Sequence, residues 1–215
     1  MTRRTLSEVE EEVPSPGPAG ASPLSHGPAT ASELNGLADT LFAEKVSDED
    51  WVRAAELYRQ AAEMGFLEAQ FSYGVRLAHG QGVPQNFEES VKWLAKAARQ
   101  GHPGAQDSLG VRYATGQGVA QNDEAAALWF RKAAEQGHSV AQFNLGLAYV
   151  HGQGVEQSYP HAYAWFSLSA EQGDSIAAES RDRVKEAFTA DEVAKAERAS
   201  GNLRLAVALL RGQDS

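Results

Sequence analysis

Histidines are the side chains of this sequence best suited to metal binding or proton transfer, and the chain has six of them. They are His26, His79, His102, His138, His151 and His161. Four of them follow a sequence period: His102 and His138 lie 36 residues apart, and His79 and His151 lie 72 residues apart. In a stack of helices spaced about 10 Å apart, two repeats separate His79 from His151 by roughly 20 Å, far beyond the ~2.0 Å bonds of a shared zinc ion. These histidines indicate a repeated architecture rather than one metal site.

Cysteine and several familiar catalytic motifs are also missing from the sequence. The chain has 0 cysteines, which excludes disulfides, thiolate metal sites and a thiol nucleophile. It contains no Gly-x-Ser-x-Gly, no His-Glu-x-x-His and no Walker-type loop. We therefore predict a non-enzymatic protein with no metal and no cofactor.

A glycine-rich turn, Gly-Gln-Gly-Val, occurs at residues 80–83 and again at 116–119 and 152–155. A phosphate-binding loop is one interpretation, but no Lys-Ser or Lys-Thr pair follows any copy. The alternative is architectural: the first glycine ends a helix in the left-handed conformation and the second permits a sharp reversal. Three copies favour architecture.

The net charge of −10 and the pI of about 5.1 limit the choice of partner. A negatively charged surface repels phosphate backbones and anionic lipids, and no basic patch interrupts it. No stretch approaches the ~20 apolar residues that span a bilayer, and the N-terminus lacks the apolar core of a secretory signal. We expect no nucleic-acid binding, no membrane insertion and a cytoplasmic location.

Residues 1–32 differ in composition from the rest of the chain. They hold five of the eight prolines among Gly, Ala and Ser, with few large apolar residues. This composition predicts a disordered tail. The tail is either a flexible leader or a short proline-rich docking motif.

Self-comparison shows three consecutive 36-residue units at 65–100, 101–136 and 137–172. In the first half of the second unit, Ala105, Leu109 and Tyr113 form one apolar stripe at helical spacing, which predicts helix A. Gly110 adjoins this stripe and recurs in each unit, which indicates a close approach of another helix.

The second half of each unit predicts helix B. It begins after Asn86, Asn122 or Ser158, which are good N-caps. A tryptophan set against small residues follows in every copy, and this pattern is typical of core packing rather than of a ligand site.

Atypical units flank the three copies, as solenoid ends require. Residues 33–64 predict a divergent N-terminal capping repeat, and residues 173–215 a degenerate C-terminal repeat with capping helices. Thr189 and Glu192 form a capping box that opens one of these helices. Leu203, Val207 and Leu210 then predict a last short helix after Gly201.

The units resemble Sel-1-like repeats, relatives of tetratricopeptide repeats. The resemblance rests on Leu-Gly-x-x-Tyr at 109–113 and 145–149, on the Gly-x-Gly-Val turns, and on Lys-Ala-Ala near the end of helix B. The chain end, with Tyr163, Trp165 and Phe166 before Arg181, looks like the last unit of many bacterial members. The resemblance implies an all-α fold, a right-handed α/α superhelical solenoid of 36-residue helix-turn-helix repeats. It also implies an adaptor or scaffold in signalling, protein quality control or envelope processes.

Binding is expected on helix A, which lines the concave face of a two-helix solenoid. The candidate residues are Gln70, Phe71, Arg76, His79, Asp107, Arg112, Phe143, Asn144 and His151. Phe71 and Phe143 would anchor a protein or peptide partner, and the two arginines would grip a carboxylate or an extended backbone. The alternative is that the phenylalanines pack against neighbouring helices and the arginines are solvated.

Two other functions stay open at this point. A self-assembling protein would pair two copies through the edge at residues 203–210, whereas an adaptor is expected to be a monomer or to self-associate weakly. A regulatory subunit of an envelope or signalling enzyme is a version of the adaptor.

Overall fold

The computed structural model describes residues 29–44 and 47–211, and every regular element in these ranges is an α-helix. Most of the predicted tail, residues 1–28, lies outside the described residues. The helices are α1 (Ala31–Glu44), α2 (Asp48–Glu63), α3 (Leu67–His79), α4 (Phe87–Arg99), α5 (Pro103–Thr115), α6 (Asp123–Glu135), α7 (Ser139–His151), α8 (Tyr159–Glu171), α9 (Ser175–Glu186) and α10 (Ala190–Arg211).

Helix packing follows the order of the chain. From α1 to α9 each helix packs on the next helix in the chain, so that α3 and α4, α5 and α6, and α7 and α8 form three successive A–B pairs. Such nearest-neighbour packing is typical of a solenoid, in which each repeat is stabilised by the adjoining repeats.

The helix-ending glycines have the predicted conformation. Gly80, Gly116 and Gly152 cap α3, α5 and α7 with φ of 68°, 69° and 67°, in the left-handed region that a side chain disfavours. The second glycine of each turn has a further role. A Cβ on Gly154 would lie 2.0 Å from the carbonyl oxygen of Asp123, the first residue of α6 in the preceding repeat. The turn therefore sits directly on the preceding repeat and fixes the distance between repeats.

A second set of glycines lets each A helix approach its own B helix. A Cβ on Gly110 would lie 2.6 Å from the ring of Phe130, and one on Gly146 would lie 2.5 Å from the ring of Phe166. At Gly74 the neighbour is the Leu94 side chain, at 3.0 Å. The prediction that these glycines are packing contacts is confirmed.

Side-chain caps begin the B helices, with one exception. Asn86 and Asn122 accept hydrogen bonds from the backbone N–H three residues on, as predicted. Ser158 does not cap α8 in this way, because its hydroxyl is hydrogen bonded to Nδ1 of His161 at 2.7 Å. Pro160 in the first turn of α8 has no N–H to be capped.

The C-terminal end differs from the prediction of a separate short helix. The capping box of Thr189 and Glu192 is present, but α10 then continues through Gly201 as one helix. It packs on α8, with Val207 only 6% exposed and Ala196 and Ser200 also buried. This packing outweighs the roughly 1 kcal/mol that glycine costs in a helix interior. Residues 162–169 of α8 are all buried as a result.

Candidate protein-binding face

The nine candidate residues lie on the A helices α3, α5 and α7, and we call the surface of these three helices the A face. Their side chains fall into distinct environments. Some are buried within the repeat, some pack on a neighbouring repeat, and some are exposed at helix ends.

Gln70 is the clearest correction, because it is 5% exposed and belongs to the core rather than to a groove. Its Nε2 donates to the carbonyl oxygen of Ala62 at 3.4 Å, and its Oε1 accepts from Nε2 of Gln100 at 2.7 Å. Gln106 and Gln142 make the same pair of bonds in the next two units. Such bridges satisfy buried polar groups between repeats, which explains why the glutamine recurs.

The two phenylalanines face neighbouring side chains. The Phe71 ring stacks on the ring of His102 in the next repeat, with centroids 4.4 Å apart. The Phe143 ring lies 5.6 Å from that of Phe166 within its own repeat. Both are half-buried, so packing accounts for much of their surface. These contacts agree with the alternative, left open by the sequence, that the phenylalanines pack against neighbouring helices.

The two arginines make intramolecular contacts with the preceding repeat. The Arg76 guanidinium lies 3.6 Å from the ring centroid of Phe42, and that of Arg112 lies 5.2 Å from the ring centroid of Phe87. Burial lowers the pKa of both guanidinium groups. Neither is the solvated side chain that the alternative supposed, and their contacts are those of structural cation–π pairs.

Asp107 and Asn144 are brought together, although 37 residues separate them in the chain. Asn144 Nδ2 donates to Asp107 Oδ1 at 2.9 Å, linking α5 to α7. Asp107 is 8% exposed, and burial raises the pKa of its carboxyl group, an effect that this hydrogen bond partly offsets. A buried carboxylate thus lies between the second and third repeats.

The histidines have separate positions and tasks. His79 and His151 are exposed at the ends of α3 and α7. His102 and His138 instead cap helices, since Nδ1 of each accepts a backbone N–H at the start of α5 or α7. Across residues 29–44 and 47–211, no three His, Cys, Asp or Glu side chains are grouped as a metal would need.

An open groove on the A face lies between α5, α6 and α7, and sequence reasoning missed most of its residues. It has a volume of about 200 Å³ and a largely apolar wall. Asn144 is the one predicted candidate that lines it. The other lining residues include Val111, Asp123, Phe130, Leu147, Ala148 and Gln153. A signal was present in the sequence: Ala148 occupies the position held by Arg112 one repeat earlier.

None of the helices in the described ranges combines the length and the apolar character needed to cross a bilayer.

Comparison with known proteins agrees with this architecture. A family model described as Sel1 repeat matches residues 49–66, 67–102, 103–138 and 139–174. The solved structure of a Sel1 repeat protein from Oxalobacter formigenes is similar at 33% identity and a TM-score of 0.64, covering 69% of this chain and 60% of that one. A search of curated proteins gave no significant match.

A second solved structure is c5321, a protective antigen of uropathogenic Escherichia coli strains that displays an SLR fold. It is 27% identical with a TM-score of 0.57, and 85% of this chain aligns with 48% of that chain. The chain therefore spans about half to three-fifths of these two relatives. Sel1 repeats generally form a non-catalytic fold for protein–protein interaction. With four matched repeats and an all-helical solenoid, this chain belongs to the Sel1 repeat family.

Proposed function

We propose that this protein is a non-enzymatic adaptor that binds an extended segment of another protein on the A face, which we take as the concave side of the solenoid. The observation that carries the proposal is the open groove between α5, α6 and α7. Concave sites with an apolar wall and a few polar groups are the usual binding sites of folded proteins.

The apolar wall of the groove is accessible to a partner. Leu147 and Val111, which line it, are both partly exposed. By contrast, Leu203 and Val207 of α10, which belong to the edge that self-assembly would use, pack on the core with α8 of the same chain. A regulatory role toward an enzyme would use the same face as the adaptor.

Site-specific photo-crosslinking in extract of the source organism tests the proposal. Benzoylphenylalanine would replace Leu147 in the groove, with replacement of Leu128 as the matched control. Leu128 lies on the B helix α6 and is 52% exposed, so it samples a different surface. We expect a crosslinked partner from position 147 and none from position 128, with the crosslinked segment identified by mass spectrometry.

The captured partner, once purified, should bind in a defined stoichiometry by calorimetry. Crosslinks that join only two copies of this chain would instead show self-assembly. Equal capture from both positions would show that the A face is not the working surface.

A further inference from the structure

The groove occupies a place that an arginine fills in the two preceding repeats. With the 36-residue offset, Arg76, Arg112 and Ala148 hold the same position of successive A helices. The first two reach back over an aromatic ring of the preceding repeat, Arg76 over Phe42 and Arg112 over Phe87. In the third repeat the methyl side chain of Ala148 is too short to do so.

A glutamine in the following turn completes this arrangement. Arg76 Nη1 donates to Oε1 of Gln81 at 2.9 Å, and Arg112 Nη1 donates to Oε1 of Gln117 at 2.5 Å. The third repeat keeps the equivalent glutamine, Gln153, which lines the groove. The acceptor is therefore retained where the arginine is lost.

Two residues of α6 that line the groove with Ala148 are also smaller than their equivalents one repeat earlier. Asp123 stands at the position of Phe87, and Ala127 stands at that of Val91. Together these changes leave the volume of about 200 Å³. One water molecule needs roughly 15 Å³ of such space. The groove is far larger, so a side chain can enter it.

The changes also alter the charge of the site. The aromatic ring of Phe87 in the first repeat is replaced in the second repeat by the carboxylate of Asp123, at the N-terminal end of α6. Glu124 and Glu156 line the adjoining polar surface, and Asp107 lies behind Asn144. Together with the net charge of −10, this favours a cationic ligand.

We propose that this socket, formed by Val111, Asp123, Phe130, Leu147, Ala148 and Gln153, binds the side chain of an arginine from the partner's segment. The inference rests on the proposed function and names the chemistry that the A face recognises. The partner's guanidinium would donate to the Asp123 carboxylate and the Gln153 amide oxygen, and its methylene groups would pack on Val111 and Leu147. Such charge-assisted hydrogen bonds are stronger than neutral ones.

Arginine fits the socket better than lysine because this chain itself supplies the template. Arg76 and Arg112 show that a guanidinium can lie over an aromatic ring of the preceding repeat while it donates to the turn glutamine. A lysine ammonium is a compact and strongly hydrated charge that lacks this planar geometry.

The test is an NMR titration of the ¹⁵N-labelled full chain with acetyl-Gly-Gly-Arg-Gly-Gly-amide. Matched peptides would carry lysine or citrulline, the neutral isostere of arginine, at the central position. We expect saturable shifts at Val111, Asp123, Leu147 and Gln153 with a millimolar Kd. Lysine should bind several-fold more weakly, and citrulline at least tenfold more weakly. Equal binding of the citrulline peptide would overturn the inference.

Two variants test the same socket from the protein side. Ala148→Arg should fill it in the manner of Arg112, abolish peptide binding and leave the melting temperature unchanged or higher. Asp123→Asn should weaken binding at least tenfold, whereas the neighbouring Glu124→Gln should not. If the Ala148→Arg protein fails to fold, the Asp123→Asn variant decides: undiminished binding would reject the socket.

The photo-crosslink at Leu147 separates this inference from the proposed function. A partner captured at Leu147 without binding of the arginine peptide would overturn the socket and leave the adaptor standing. Peptide binding with no captured partner would overturn the adaptor and leave the socket standing.

Discussion

The two junctions between the three regular repeats share a framework but differ in what fills them. Between the first and second repeats, the guanidinium of Arg112 lies over the ring of Phe87. Between the second and third, Ala148 faces Asp123 across an open groove. Arg112, Phe87 and Val91 at the first junction are replaced by Ala148, Asp123 and Ala127 at the second, while the order of the helices is the same. Such replacements show how a repeat framework can carry a site without altering its fold.

The largest expected effect concerns a feature that both junctions share. Gly154→Ala would place a Cβ 2.0 Å from the Asp123 carbonyl oxygen, in addition to the strain of φ +67°. We expect a loss of about 3 kcal/mol or more in the free energy of unfolding, since a left-handed residue and an overpacked contact each cost roughly 1–3 kcal/mol. Urea denaturation followed by circular dichroism measures it.

Gly152→Ala is the matched control, because φ is again +67° but the nearest atom, Gln157 Cβ, is 3.5 Å away. This variant should lose only about 1 kcal/mol, the backbone strain alone. Equal losses in the two variants would mean that the turn does not sit on the preceding repeat as described.

A smaller effect should come from removing the arginine at the junction between the first and second repeats. Arg112→Ala removes the side chain over Phe87 and its hydrogen bond to Gln117. We expect a loss of about 1 kcal/mol, because a partly exposed cation–π contact and its packing are worth about that much. Arg99→Ala, at an exposed position, should change stability by less than about 0.5 kcal/mol. Losses of the same size in both variants would show that the contacts of Arg112 with Phe87 and Gln117 do not contribute to stability.

The smallest effect should be a gain of stability at the open junction. Burial raises the pKa of Asp107 in the folded state, so folding favours its protonated form. Stability therefore falls as the pH rises through the interval between the unfolded and folded pKa values, and the deficit persists at neutral pH. Asp107→Asn keeps an oxygen that can accept from Asn144 and removes the buried charge, so it should raise stability at pH 7 by somewhat less than about 1 kcal/mol.

Thermal melts of this variant and the parent protein at several pH values measure the effect. The difference should shrink as the pH falls through that interval, and it should be largely lost below the ordinary Asp pKa of 3.8. Asp182→Asn, whose side chain is exposed, should show little change at any pH. A variant less stable than the parent at pH 7 would contradict this account of Asp107.

Residues that repeat were the easier ones to interpret. The recurrence of Gly110 and its equivalents predicted the close helix contact, because glycine is unfavourable within a helix unless another helix must approach closely. Gln106 and Gln142 recur equally, but a glutamine is compatible with both a groove and a buried bridge, and the sequence does not distinguish them. The contacts of Phe71 and Phe143 were unpredictable for a similar reason: they depend on how neighbouring helices are placed.

The sequence by itself determined the helical period, the helix-ending glycines, most helix caps and the family, because these follow from local conformational preference and from a fixed repeat length. Only the tertiary structure decided that α10 folds onto α8, that the arginines lie on the preceding repeat, and that Ala148 leaves an open groove. Each of these outcomes depends on contacts between side chains that are far apart in the sequence. Local preference cannot specify such contacts, but the packing of one repeat on the next does.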